Sequence, residues 1–241
     1  MRLWRDTCTH RIASQFQLRF RLRLIVMVCL YALVAQLCAA AGGLPPANPM
    51  NRAQYSDHYA QKLAAARTAY FQVLTHDSHS ADQAAHQALE ALEESYPGDA
   101  TAEAYSGSLE MLDAARSWQI WNLRHEAAEG LARLDHAVTL APNDPEVRFI
   151  RAATSWHLPD LYHRRQQCES DFAWLSTHAV DSSRRATLPP ELAAASLNYW
   201  GQILMRRGQS DRARAAFQQA VDIAPQSPGA QDAARRLRNL H

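Results

Sequence analysis

Three groups of residues in this chain have types and spacings that bear on chemistry. His125-Glu126-Ala127-Ala128-Glu129 has the outline of a zinc-protease helix, in which two histidines four residues apart hold one metal beside a glutamate base. Glu129 stands where the second histidine belongs, so a charged helix face is what remains. His76 and His79 are three residues apart and His86 follows seven later, a set able to converge on a metal if the chain turns them inward. Loop histidines are more often solvated than ligating, and no metal site is assigned to them. Cys168 offers a thiol, yet Leu161, Cys168, Phe172, Leu175 and Ala179 step along one face of a helix. A buried thiol behaving as a small apolar group is expected. The chain has no phosphate-cradling glycine loop, no G-x-S-x-G elbow and no paired-cysteine zinc spacing. No catalytic residue and no cofactor is therefore nominated, and an enzyme would need residues that converge only in three dimensions.

The elements that must position these residues read as helices. From Asn51 onward apolar residues recur at three- and four-residue steps, and no β-branched run alternates over a strand's length. The spacing predicts helices over 55–75, 81–95, 100–116, 118–140, 146–157, 161–179, 191–207, 211–223 and 228–240. Ser80 with Gln83 has the form of a capping box and marks one start. Pro97-Gly98 marks a stop, Asp144-Pro145 a start, Pro159 a stop, Pro189-Pro190 a join and Ser227-Pro228 the last start. The fold class is all-α: about four helical hairpins plus a C-terminal capping helix. Trp118, Trp121, Trp156, Trp174 and Trp200 sit at helix joins or on apolar faces and are expected in the core.

With 241 residues, 47% hydrophobic and 20% charged, the chain has the balance of one globular domain. Its formal charge of +1 hides an asymmetry: Arg2, Arg5, Arg11, Arg19, Arg21 and Arg23 crowd ahead of Leu24 with only Asp6 to oppose them. The remainder is about four charges negative, which argues against nucleic acid as a partner. The arginine-rich start, the uncharged run Leu24 to Leu37 and the small residues Ala39, Ala40 and Ala41 form a signal-peptide pattern. Residues 1–41 are expected to be a signal peptide cleaved after Ala40 or Ala41, giving a periplasmic or otherwise exported protein. An uncleaved anchor is the alternative, because Leu24 to Ala41 is just long enough to span a hydrocarbon core, and lipidation at Cys38 is a third. Residues 42–54 read as a Pro-rich linker and 55–241 as the folded domain. Cys8, Cys29 and Cys38 lie in the leader, so only Cys168 survives cleavage and no internal disulfide forms.

Leu197, Trp200, Gly201 and Leu204, followed by Gly208, Ala213, Phe217, Ala220 and Pro225, stand at the framework spacing of one helical hairpin. This segment, residues 194–227, resembles a tetratricopeptide repeat. Gly201 and Ala213 would let two helices approach, Trp200 and Phe217 would fill the space around them, Gly208 would turn the chain and Pro225 would stop it. Leu197 and Leu204 replace the usual aromatic residues. Degenerate copies of the second half end at Pro97 (Ala85, Leu89, Leu92) and Pro142 (Gly130, Leu134, Ala137). These two prolines are 45 residues apart rather than the family's usual 34 or so. The resemblance implies an α-solenoid whose hairpins bury one another's apolar faces.

It also implies that the first helix of each hairpin lines a groove for a peptide or partner protein. On those helices Asn198, Gln202 and Met205 share a face with Arg206 beside them, and Arg148 and Arg151 share a face with Ser155. Asn198 and Gln202 would bond a peptide backbone, Arg206 a carboxylate, and Arg148 with Arg151 an anion. The competing reading pairs Arg148 and Arg151 with Glu110 and Asp113 of a neighbouring helix. The expectation is an exported interaction module with Arg148, Arg151, Asn198, Gln202 and Arg206 as partner-binding residues, touching membrane only through an uncleaved leader. Alternatives are a binding protein for a small ligand or cell-wall fragment, or an enzyme with no active site legible in the sequence.

Overall fold

A computed structural model describes residues 57–75, 78–116, 120–185 and 187–240. The leader, the linker, His76 and Trp118 lie outside the described residues, as do the side chains of Trp121 and His125. The helices are α1 (Asp57–Thr75), α2 (His79–Ser95), α3 (Ala100–Arg116), α4 (Ile120–Leu140), α5 (Pro145–Trp156), α6 (Arg165–Val180), α7 (Pro190–Arg206), α8 (Ser210–Ile223) and α9 (Pro228–Arg238). A 3₁₀ turn at Asp160–Tyr162 and a single helical turn at Ser182–Arg185 complete the order, and no strand occurs among the described residues. The described residues are all-α, and none of the described helices is long and apolar enough to cross a membrane.

The starts follow from side chains that satisfy orphan amides. Asp144 Oδ1 accepts from the amides of Glu146 at 2.9 Å and Val147 at 3.2 Å, with Pro145 in the first turn where its missing N–H is not needed. Ser227 caps α9 in the same way through the amide of Ala230. Gly98 (φ 79°) and Gly208 (φ 71°) adopt the left-handed conformation that lets the chain leave α2 and α7.

Two expectations are corrected. The cap of α2 is Ser78, whose Oγ accepts from the amide of Ala81, so the helix starts two residues before the Ser80 box would allow. Ser80 lies inside the first turn. Residue 161 is not the start of α6: the 3₁₀ turn and the left-handed His163 (φ 54°) intervene, and Leu161 is left half-exposed to solvent. Cys168, Phe172, Leu175 and Ala179 do form the buried face of α6.

The helices pair in chain order, α1 with α2, α3 with α4, α5 with α6 and α7 with α8. Each first helix also meets the next first helix, through the series α1, α3, α5, α7 and α9. Each second helix meets the first helix of the following pair, so α8 and α7 both pack on α9. One apolar core runs the length of the stack, from Tyr59 and Leu63 through Leu109, Leu134 and Phe172 to Phe217 and Ala233. Three glycines sit where helices approach closely. A Cβ on Gly107 would meet the carbonyl oxygen of Gly130 at 2.8 Å, and one on Gly201 would meet Cδ1 of Phe217 at 2.7 Å. Gly229 brings α9 onto the backbone of Ala195. Trp156, Trp174 and Trp200 are partly buried against the core, and each carries a guanidinium over its ring: Arg206, Arg148 and Arg207 respectively.

Candidate functional site

The arginine face of α5 turns toward α4 and α6. Arg148 donates from Nη1 to Asp171 Oδ1 at 2.9 Å and from Nε to the carbonyl of Pro142 at 2.6 Å, and its guanidinium stacks 4.5 Å from the ring centre of Trp174. Arg151 holds the same carboxylate in a fork, Nε to Oδ2 and Nη2 to Oδ1, both at 2.8 Å, and reaches Asp135 on α4. Asp171 is buried, so two guanidiniums compensate one desolvated carboxylate. Glu110 and Asp113 are not their partners: Glu110 binds Arg133 and Asp113 binds His86.

The α7 residues face elsewhere. Asn198 is buried, donates from Nδ2 to Asp232 Oδ2 at 3.0 Å on α9, and has a buried Oδ1 with no partner. Burial works against ionisation of Asp232, but the bonds from Asn198 and Arg236 outweigh it and hold its pKa below the usual carboxylate range. Gln202 is half-buried, while Met205 and Arg206 are exposed. The guanidinium of Arg206 lies 4.3 Å from the ring centre of Trp156 on α5 and makes no ion pair with a described residue. The five expected residues thus form two groups, Arg148 with Arg151 on Asp171, and Asn198, Gln202 and Arg206 along α7.

Sequence reasoning missed a buried polar tie across the first three hairpins. Arg67 of α1 reaches past α3 to bind Glu146 of α5 in a fork, Nε to Oε1 and Nη2 to Oε2, and Tyr105 of α3 donates to the same carboxylate at 2.9 Å. Burial is the largest single influence and would lower the pKa of Arg67, but the charge and hydrogen bond of Glu146 together with Tyr105 and Tyr59 outweigh it and raise the pKa. Beside this tie Tyr70, Ser108 and Thr154 link hydroxyls of α1, α3 and α5 at 2.7 Å each. The chain's own side chains therefore tie α1, α3 and α5 together where these helices meet. The one signal was a lone arginine in the apolar run Ala64-Ala65-Ala66-Arg67. Asp144 sits next to the tie. Burial and the neighbouring charge of Glu146 push its carboxyl up to about 8, against the two amide bonds that favour the ion.

Where α5, α6 and α7 end or begin, a small cleft of about 50 Å³ opens among Ser155, Trp156, Leu158, Asp160, Arg165, Cys168, Glu169 and Arg206. The Cys168 thiol is pushed up to about 12 by burial and the nearby Asp171, and it donates to the carbonyl of Ala152, which makes it a packing group rather than a nucleophile. Ser155 Oγ is buried with no hydrogen-bond partner. His79 and His86 are exposed, and His86 meets Asp113 at 2.8 Å. Among the described residues no group of three histidine, cysteine or acidic side chains is arranged to hold a metal ion. No protein-family model, no curated protein and no solved structure matches this chain.

Proposed function

We propose that this chain is an exported, tetratricopeptide-like α-solenoid that acts as an adaptor, recognising a peptide or partner protein along α7. The observation that carries the reading is the division of labour in the last hairpin. Leu197, Gly201, Leu204, Ala213, Phe217 and Ala220 are buried where the repeat pattern wants framework, and the same helix leaves Gln202, Met205 and Arg206 toward solvent. Surface left over by a packing motif, with a cation and a thioether side by side, is suited to a partner segment. A rigid stack holds that surface ready, so the partner alone bears the ordering cost. The tie through Arg67 and Glu146 occupies the polar side chains where α1, α3 and α5 meet, and leaves α7 as the recognition surface of this proposal. Arg148 and Arg151 contribute by holding α6 against α5, not by direct contact. Export rests on the arginine-rich, apolar leader.

The test is site-specific photo-crosslinking in intact cells, with the photoreactive residue at Met205 and, as control, at Gln218 on the exposed face of α8. A discrete adduct from position 205, weak or missing from 218 and lost with Arg206→Glu, is the expected result. It should be carried by a species whose mass begins at Ala41 or Gly42. Equal labelling from both positions, or none, would remove α7 as a recognition surface.

A further inference from the structure

The cleft at the start of α6 has features that the adaptor reading does not use. Its floor holds Ser155, 4% exposed, whose Oγ has no acceptor or donor in contact with it. A buried hydroxyl without a partner is costly and uncommon, and Ser155 is one of the residues that line this cleft. Over the floor stands Arg206, held by the Trp156 ring and without a carboxylate of its own among the described residues. The third wall is the first turn of α6, a 16-residue helix with no acidic residue in that turn and no side-chain cap. Its free amides and the positive end of its dipole favour an anion.

The charges around the cleft choose the anion. Asp160 is bound by Arg165, and Glu169 by Arg207, which stacks on Trp200. The lining itself carries two cations, Arg165 and Arg206, and two anions, Asp160 and Glu169; because Arg207 from outside the cleft takes up Glu169, Arg206 is left without a carboxylate among the described residues and one negative charge would match it. A cleft of about 50 Å³ has room for a carboxylate.

We propose that this cleft binds a single carboxylate of the partner segment, either a C-terminus or an acidic side chain. Arg206 would supply the charge-assisted bond, Ser155 Oγ would donate from the floor and the α6 amides would complete the shell. The inference rests on the adaptor reading for the source of the carboxylate, but its chemistry can be tested without a partner.

The experiment is an amide-resonance titration of the protein, purified as it accumulates in cells, with three short peptides of one neutral sequence. One has a free C-terminus, one is amidated, and one is amidated with an internal glutamate. Saturable shifts at Ser155, Gln166 and Cys168 with the first or third peptide, and none with the neutral amide, are expected; which peptide acts identifies the source. Arg206→Gln should weaken binding about tenfold or more and Ser155→Ala about fivefold. Ser155→Ala removes an unpartnered hydroxyl, so its melting temperature should not fall, which keeps a loss of binding interpretable. Shifts that are the same for all three peptides, no shifts with any, or binding untouched by Arg206→Gln would overturn the proposal. A failed titration beside an intact adduct at position 205 would remove the cleft and leave the adaptor. Carboxylate binding without any adduct would do the reverse.

Discussion

Asp144 does two jobs that pull against each other. As the cap of α5 it accepts two amide bonds through Oδ1, while Oδ2 is buried without a partner beside Glu146. Burial and the Glu146 charge raise its carboxyl to about 8, above an unfolded value of about 3.9. An acid with a raised folded-state pKa binds its proton more tightly in the native protein. Its contribution is therefore present in full at low pH, declines as pH rises from about 4 to about 8, and is level beyond that. Asp144→Asn keeps a capping side chain and removes the titration. Calorimetry between pH 5 and pH 8.5 should find that the melting temperature of the wild type drops more steeply than that of the variant, whereas parallel slopes would mean the carboxyl titrates normally. The cap itself was legible in the sequence as Asp144-Pro145. Its neighbour Arg67 was not, because the chain brings the two together from 77 positions apart.

At the scale of elements, the helices were readable because apolar spacing is a local property. Of the seven starts whose preceding residue is described, all but that of α6 fall within two residues of the pattern. The misjudged cap of α2 shows the limit: Ser78 and Ser80 both have a hydroxyl to offer, and the decision fell to whichever backbone conformation suited the chain's entry. Ser78 is extended and takes the cap. The α3–α4 contact was half legible, since Gly130 belongs to the repeat pattern and Gly107 does not. Gly107→Ala would drive a Cβ to 2.8 Å from the Gly130 carbonyl oxygen and 3.1 Å from the Leu134 amide, with backbone and not a flexible side chain in the way. Urea unfolding should find a loss of about 1–3 kcal/mol. A neutral result would mean the two helices separate freely.

Among the described residues, neighbouring helices pack in succession, and a longer tie adds to them. Arg67 and Glu146 join the first hairpin to the third across the second. Glu146→Gln keeps the volume but leaves the Arg67 charge without compensation, and should cost about 3–5 kcal/mol. The double variant with Arg67→Met should recover much of that, because it removes both buried charges. Hydrogen exchange adds a readout of coupling. In the wild type α1 should exchange together with α3 and α5, and in Glu146→Gln it should open separately. If α1 already exchanges independently in the wild type, the tie does not carry cooperativity.

Local pattern by itself determined that the described residues are helical, where most helices begin and end, and that Leu197, Gly201, Leu204, Ala213 and Phe217 are buried in the last hairpin. Periodicity and caps act within a few residues, so they are written in the order of the sequence. Only the tertiary structure decided that Arg148 and Arg151 are occupied by Asp171, that Arg67 crosses to Glu146, and that Ser155 and Arg206 meet over a cleft. Each of those pairings depends on which helix faces meet, and a charge pairs with whatever the packing of apolar faces brings near it.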